Sequence, residues 1–451
     1  MASIESRIVD VARNGRFPDG VSRRAFISVA AAAGITVGVA ACGSSSKSSN
    51  SSSASGGTSS GAASSGGSSS SAGGGGGNLV KSKTYSQITT LTNDYFVAFN
   101  DGAKQCATAL GMPFGNFEDN GNVNTALSQV GNVKTAGGKM LFGTPATEAE
   151  AGAVIKAAQA AGIYYGSAYT SPPFYTPADA DHWVRFITPS SPAIAYNTAK
   201  QLFQKVGGSG TIIHVPGQKG SSADTERTAG LTKALKEFPN IKVVTTSDGN
   251  WTAEDARKAF VNILPSVKDF VGVFAQNDSE AAGVIAALDA QNIKGKIVTG
   301  FDGNKQNIQY IADGKQFLTS ATIGGLSGGL LAVAVFDALN GVKLTLPETF
   351  MYQGALLVTP DIAGDVLKNI YGATLPFDWA KMSRAINPTG WDPQTNLIPI
   401  NPKDFFAGAT PGADKLNPAW DAAIGTIPDV TKTYADAFKT GPLFPYKTTM
   451  V

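Results

Sequence analysis

The sequence predicts an α/β protein made of two doubly wound parallel-sheet lobes joined by a hinge. Three observations predict it. From Thr84 onward, short apolar runs alternate with helical patterns of about 10–18 residues, the pattern of parallel strands covered by helices on both faces. Ten or so such runs in about 280 residues exceed one comfortable open sheet. Of the 451 residues, the first eighty or so lack the pattern of a folded domain, and the remaining 370 or so suffice for two cores.

Residues 1–41 read as an export signal. Ser22-Arg23-Arg24-Ala25-Phe26-Ile27 resembles the twin-arginine signal, and Ala25 to Ala41 is an uncharged apolar run of 17 residues, short for a spanning helix and right for a signal core. Val39-Ala40-Ala41-Cys42 resembles a lipoprotein box, in which the Cys42 thiol takes a diacylglycerol. Residues 42–78 then form a lipid-anchored Ser/Gly linker. Its 36 residues from Gly43 carry one charge, Lys47, cannot bury apolar surface, and span roughly 33 Å at ~5.5 Å × √n. With Cys42 lipidated only Cys106 is left, so no intramolecular disulfide is expected. Cys106 lies in the helical stretch FVAFNDGAKQCATALG as a small buried hydrophobe.

The predicted strands of the body are YSQITTL, GKMLFG, GIYYGSAY, WVRFI, GTIIHVP, IKVVTT, FVGVFA, KIVTGF and QFLTSATI. Helical patterns cover Thr147–Ala161, Ala193–Lys205, Ser222–Phe238 and Ser279–Gln291. The last hundred residues differ. Twelve of the 23 prolines fall from Pro347 onward, yet Trp379, Trp391 and Trp420 are there too. Disordered tails are poor in aromatics, so residues 367–451 read as a Pro-rich extension packed on the lobes.

Composition removes several functions. Net charge is +2, and residues 1–41 carry five basic and three acidic side chains, which leaves 31 of each sign elsewhere. A neutral body gives no electrostatic case for nucleic acid or an anionic membrane surface. His182 and His214 are the only histidines, so a zinc site is hard to build. Gly325 to Gly329 (GLSGG) fits the nucleophile-elbow pattern, but no histidine follows Ser327; the small residues suit a tight strand-to-helix crossing instead. No catalytic residue, metal or cofactor is expected, and the chain is not read as an enzyme.

In open parallel sheets, ligands sit beyond the carboxyl ends of the strands. The residues there are Thr89, Asn93, Tyr95 and Phe96 after the first strand, Gly143 and Thr144 after the third, and Tyr169 after the fourth. In the second half they are Arg227, Trp251, Asn277, Asp278 and Asp302. Amides, one guanidinium and carboxylates offer donors and acceptors to vicinal hydroxyls, and aromatic faces cover C–H surfaces. The set fits a neutral polyhydroxylated ligand. Of the adjacent pair, Asp278 is expected to be the N-cap of the helix whose apolar face is Ala281, Val284, Ile285 and Leu288, and Asn277 the ligand contact.

Four motifs in order, NDYFVAFNDGAKQCATALG, GSSADTERTAGLTKAL, FAQNDSEAAGVIAALDAQ and VTGFDGNKQNIQYIADGKQFLTSATI, resemble the sugar-binding proteins of ABC importers, of the ribose-binding, type I periplasmic kind. The resemblance spans about Thr84 to Val366. It implies ligand contacts at Asn93, Tyr95, Phe96, Arg227, Trp251, Asn277 and Asp302, with Tyr169 near them. Three positions depart from the family's pattern. Its Asp-Arg pair after the fourth strand stands here as Tyr169-Thr170, its glutamine as Gly325, and its asparagine as Gly143 or Thr144. Ribose itself is therefore in doubt, and Tyr164, Tyr165, Phe174 and Tyr175 are candidates to line a roomier pocket. The resemblance implies a first lobe of 84–188 plus 324–354 and a second of 189–323 plus 355–366, with crossovers near Thr188–Pro192, Ile323–Gly325 and Gln353–Ala355. Together with the export signal and Cys42, it points to a monomeric, exported lipoprotein on the outer face of the cytoplasmic membrane. That receptor would hand a sugar or polyol to an ABC permease or, alternatively, present it to a sensing receptor.

Overall fold

In the computed structural model of the chain, residues 79–407, 409, 415–447 and 450 are described. The twin-arginine stretch, Cys42 and the Ser/Gly linker lie outside them. The first five strands, β1 (Thr84–Ile88), β2 (Phe114–Glu118), β3 (Met140–Gly143), β4 (Tyr164–Ala168) and β5 (Trp183–Pro189), alternate with α1 (Asp94–Ala109), α2 (Val123–Thr135) and α3 (Glu148–Ala161). α4 (Ser191–Lys205) then leads into β6 (Ser209–Val215), α5 (Ser222–Leu235), β7 (Asn240–Thr245) and α6 (Ala253–Ile263). The alternation continues through β8 (Phe270–Ala275), α7 (Asp278–Ala290), β9 (Ile297–Phe301), α8 (Lys305–Ala312) and β10 (Leu318–Ala321). α9 (Gly324–Leu339), α10 (Leu346–Thr349), β11 (Phe350–Gln353), β12 (Leu356–Val358) and α11 (Pro360–Ile370) follow. The extension holds α12 (Trp379–Met382), β13 (Leu397–Pro399), α13 (Pro402–Phe405), α14 (Ala419–Ala423) and α15 (Ile427–Ala437).

Two sheets result, as the sequence predicts. One runs β13-β11-β5-β4-β3-β1-β2 and the other β12-β10-β9-β8-β6-β7. All pairings are parallel except those of the edge strands β12 and β13, which are antiparallel. The central strands read as continuous apolar runs because helices cover both faces: β3 and β8 are buried almost throughout.

The chain passes from the first sheet to the second after β5 and returns after β10 as α9. It crosses again at Gly354-Ala355 between β11 and β12. α9 packs on α1 and on β3–β5, and 14 of its 16 residues are buried. The small residues of the GLSGG stretch serve this packing. A Cβ on Gly102 of α1 would lie 2.0 Å from the Gly325 carbonyl, and one on Gly328 would lie 2.1 Å from that of Phe99. Cys106 is fully buried in the same interface.

After α11 the chain crosses a fourth time, through residues 371–375, and the rest of the extension joins the first sheet's cores. Trp379, Tyr434 and Phe438 pack with α1 and α9; Phe406 and Trp420 pack with Phe186 and Phe350. Among the described residues, no helix is long and apolar enough to cross a membrane.

Candidate functional site

The carboxyl ends of both sheets meet at a cavity of about 90 Å3. The seven residues that the resemblance gives as ligand contacts line it with Tyr169: Asn93, Tyr95, Phe96, Tyr169, Arg227, Trp251, Asn277 and Asp302; of the other strand-end residues Thr89 and Thr144 line it, and Gly143 and Asp278 do not. The two sides differ chemically.

On the second-sheet side, Arg227 of α5 is buried beneath the cavity. Its Nη1 donates to the Gln276 carbonyl and its Nη2 reaches Asp302 Oδ1 at 3.4 Å. Its Nε–H has no partner. The guanidinium lies under the Phe301 ring at 4.8 Å and the Trp251 ring at 5.5 Å. Burial pushes the Asp302 carboxyl up to about 6, and Arg227 pulls it the other way. Asp302 sits at φ +101° and Trp251 at φ +63°, conformations that cost an L-residue energy and cluster at binding loops. Trp251 is held there by its N–H on Glu280 Oε1 at 3.1 Å. Its ring needs Gly217, where a Cβ would lie 1.9 Å away.

The first-sheet side offers hydroxyls and rings without a charge. Tyr169, at φ +69°, donates its hydroxyl to that of Tyr95 at 2.6 Å and lies 3.1 Å from Thr322 Oγ1. The two rings meet edge to face at 5.3 Å. Burial pushes the Tyr169 hydroxyl up to about 12, so it stays a neutral donor and acceptor. Thr144 Oγ1 is buried without a partner. Asn93 caps α1, its Oδ1 accepting from Tyr95 N at 2.8 Å. The two sides touch at the Trp251 carbonyl, which accepts from Asn93 Nδ2 at 2.5 Å and from Asn277 Nδ2 at 3.2 Å.

The junction after β8 corrects one expectation. Asn277, not Asp278, is the N-cap: its Oδ1 accepts from Glu280 N at 2.7 Å, and Glu280 reciprocates onto Asn277 N at 3.1 Å. The helix therefore begins at Asp278, and that side chain turns sideways to the loop after β9. Its Oδ2 accepts from Gly303 N at 2.9 Å and Asn304 N at 2.8 Å. Its Oδ1 accepts from Gln316 Nε2 at 3.2 Å and lies against Gly300, where a Cβ would come within 2.2 Å. Burial, then the charge of Asp302, push Asp278 up to about 8. Asp278 thus anchors the loop that carries Asp302.

Two further expectations give way. Tyr165, Phe174 and Tyr175 sit in an aromatic core with Trp183 and Phe406 rather than at the cavity, and Tyr164 borders a different one. Gly143 cannot give way to a side chain, since a Cβ would meet Gln87 O at 2.1 Å; Thr144 lines the cavity instead. Gln218, Ser221 and Thr170 also line it. Gln218 follows β6, so its place was readable, but the surrounding Gly217 and Gly220 read as a turn.

Residues 88–343 match the family described as periplasmic binding protein domain. The ribose import binding protein of Haemophilus influenzae is 26% identical over 260 residues, 57% of this chain and 85% of that protein. The xylitol-binding protein of Mycolicibacterium smegmatis is 28% identical over 223 residues, 49% of this chain and 61% of that protein. Among solved structures, a twin-arginine translocation pathway signal protein from Burkholderia phytofirmans aligns with a TM-score of 0.62 at 26% identity, covering 64% of this chain and 93% of its own.

Proposed function

The chain belongs to the periplasmic binding protein domain family, whose members bind solutes rather than transform them, and from that premise we propose that it is an exported lipoprotein receptor for a sugar or polyol that serves an ABC import permease. The observation that carries the reading is the convergence of eight strand-end residues on one cavity. Arg227 and Asp302 form its charged floor, and Asn93 and Asn277, from the two sides, share the Trp251 carbonyl. Amide and carboxylate groups paired with a guanidinium satisfy vicinal hydroxyls, and Trp251 and Phe96 supply ring faces. Relatives that bind ribose and xylitol support the ligand class. The twin-arginine stretch and Cys42 support export and lipid anchoring.

The test is titration calorimetry against pentoses, hexoses and polyols, with Arg227→Ala beside the unaltered chain. Micromolar affinity corresponds to about −8 kcal/mol, and a charge-assisted hydrogen bond contributes roughly 1.5–3 kcal/mol. Arg227→Ala should weaken binding about ten-fold or more. Unchanged affinity would reject the site, and no heat with any carbohydrate would reject the ligand class.

A further inference from the structure

A second cavity, of about 660 Å3, lies at the other end of the first sheet. It is bordered by the amino ends of β4 and β5, the carboxyl end of α9 and its loop to Leu346, and Met382, Arg384 and Trp391 of the extension. The residues so far assigned a role in ligand capture do not touch it.

Arg185 distinguishes this cavity from a packing fault. β5 carries a bulge: Trp183 pairs with Tyr165 and Arg185 with Gly166, so Val184 is an extra residue. A bulge re-aims side chains. Without it Arg185 would share the face of Trp183; with it, Arg185 joins Val184 on the other face and reaches the extension, donating from Nη2 to the Tyr434 hydroxyl at 2.9 Å, and Trp183, Val184 and Arg185 all border the cavity. The residue is 7% exposed, yet its Nε–H is unpartnered. Among the described residues it forms no ion pair within 4.0 Å. Asp337 is near enough to feel its charge, but accepts instead from Ser383 Oγ at 2.5 Å and from the N–H groups of Arg384 and Ala385 at 2.9 and 3.2 Å. Arg185 thus lines the cavity with no carboxylate in ion-pair contact, although its Nε–H is sealed from the open space.

We propose that this cavity is a second ligand site, for a small monocarboxylate with an apolar body. The carboxylate pairs with Arg185, and the body lies against Val184, Val333, Val342, Leu344 and Met382. A volume of about 660 Å3 is within the range of small-molecule sites. With Arg384 paired to Glu348, the other wall charges are Arg185 and Lys343 against Asp181 and Asp337; they balance, which favours a ligand of one negative charge over a phosphate or a dicarboxylate. Arg384 does not compete for the ligand: it is paired with Glu348 at 2.7 Å and stacked on Trp391 at 4.0 Å.

The test is a thermal melt and a tryptophan-fluorescence titration of the full chain with benzoate, and with benzyl alcohol as the uncharged counterpart. Benzoate at about ten times its Kd should raise the melting temperature by roughly 2 °C or more and perturb the emission of Trp391 and Trp183; benzyl alcohol should do neither. Arg185→Gln should abolish the response. Because that change also removes the Tyr434 bond and risks the fold, Ala338→Trp is the second variant. Ala338 is half-buried on the cavity wall, so Ala338→Trp fills the space, and should lose the benzoate response with its ligand-free melting temperature and its response to carbohydrate unchanged. No benzoate response in the unaltered chain, an equal response to benzyl alcohol, or a response that survives in Ala338→Trp would each overturn the proposal.

Discussion

Asn277 and Asp278 are both good helix caps, and which one caps depends on where the preceding strand stops. β8 ends at Ala275 and the chain stays extended through Asn277, at φ −146° and ψ 175°. Asp278 therefore becomes the first helical residue and turns toward β9. Substitution separates the two. Asn277→Ala removes a cap and should cost about 1 kcal/mol. Asp278→Ala leaves two buried backbone N–H groups, those of Gly303 and Asn304, without an acceptor, each costing about 1–3 kcal/mol. Urea denaturation of the ligand-free protein should thus find Asp278→Ala the more damaging by about 2 kcal/mol. The opposite order would return the capping role to Asp278. Sequence alone located the pair correctly, because a strand-to-helix junction is visible as a change of period. It misassigned the partners, because these depend on Gly303 and Asn304, 25 and 26 residues away in the chain.

At the level of elements, legibility tracked burial. The central strands were readable as apolar runs. β2 was not: Phe114–Glu118 is half exposed and holds Gly115, Asn116 and Glu118. β12 and β13 have three residues each, too few for a period, and β13 ends in Pro399, which only an edge strand tolerates. The glycines of α9 read as a tight strand-to-helix crossing, whereas they serve its contact with α1, and that contact makes a sharp prediction. Gly102→Ala places a methyl 2.0 Å from the backbone of Gly325, which a main chain cannot relieve by changing a rotamer. It should cost 1–3 kcal/mol or more, as overpacking does. Gly131→Ala on α2 meets nothing within 4 Å and should instead stabilise by about 0.5–1 kcal/mol. Equal effects in thermal melts would mean that the α1–α9 contact is looser than its geometry.

For the whole molecule, the Pro-rich extension adds a link between the two sheets' cores beyond the three that the strand order requires. Tyr371, at the end of α11, donates its hydroxyl to the Gly303 carbonyl, on the loop that Asp278 anchors. Four residues later Leu375 N donates to Gln105 Oε1 of α1 at 3.0 Å, and the Leu375 side chain seats against Gly325. The extension then buries Trp379, Trp420 and Tyr434 against the first sheet, so it cannot simply detach. A connection of only five residues limits how far the two halves can separate by hinge motion. Inserting four Gly/Ser residues between Ala373 and Thr374 should relax that limit at little cost in stability, since loop closure depends only weakly on length. X-ray scattering should then show a larger radius of gyration for the ligand-free form and no change for the saturated form. Affinity should fall, because more conformations are given up on closing. An unchanged ligand-free radius would mean that the three inner crossovers alone set the opening, and that the extension serves the first sheet's cores only.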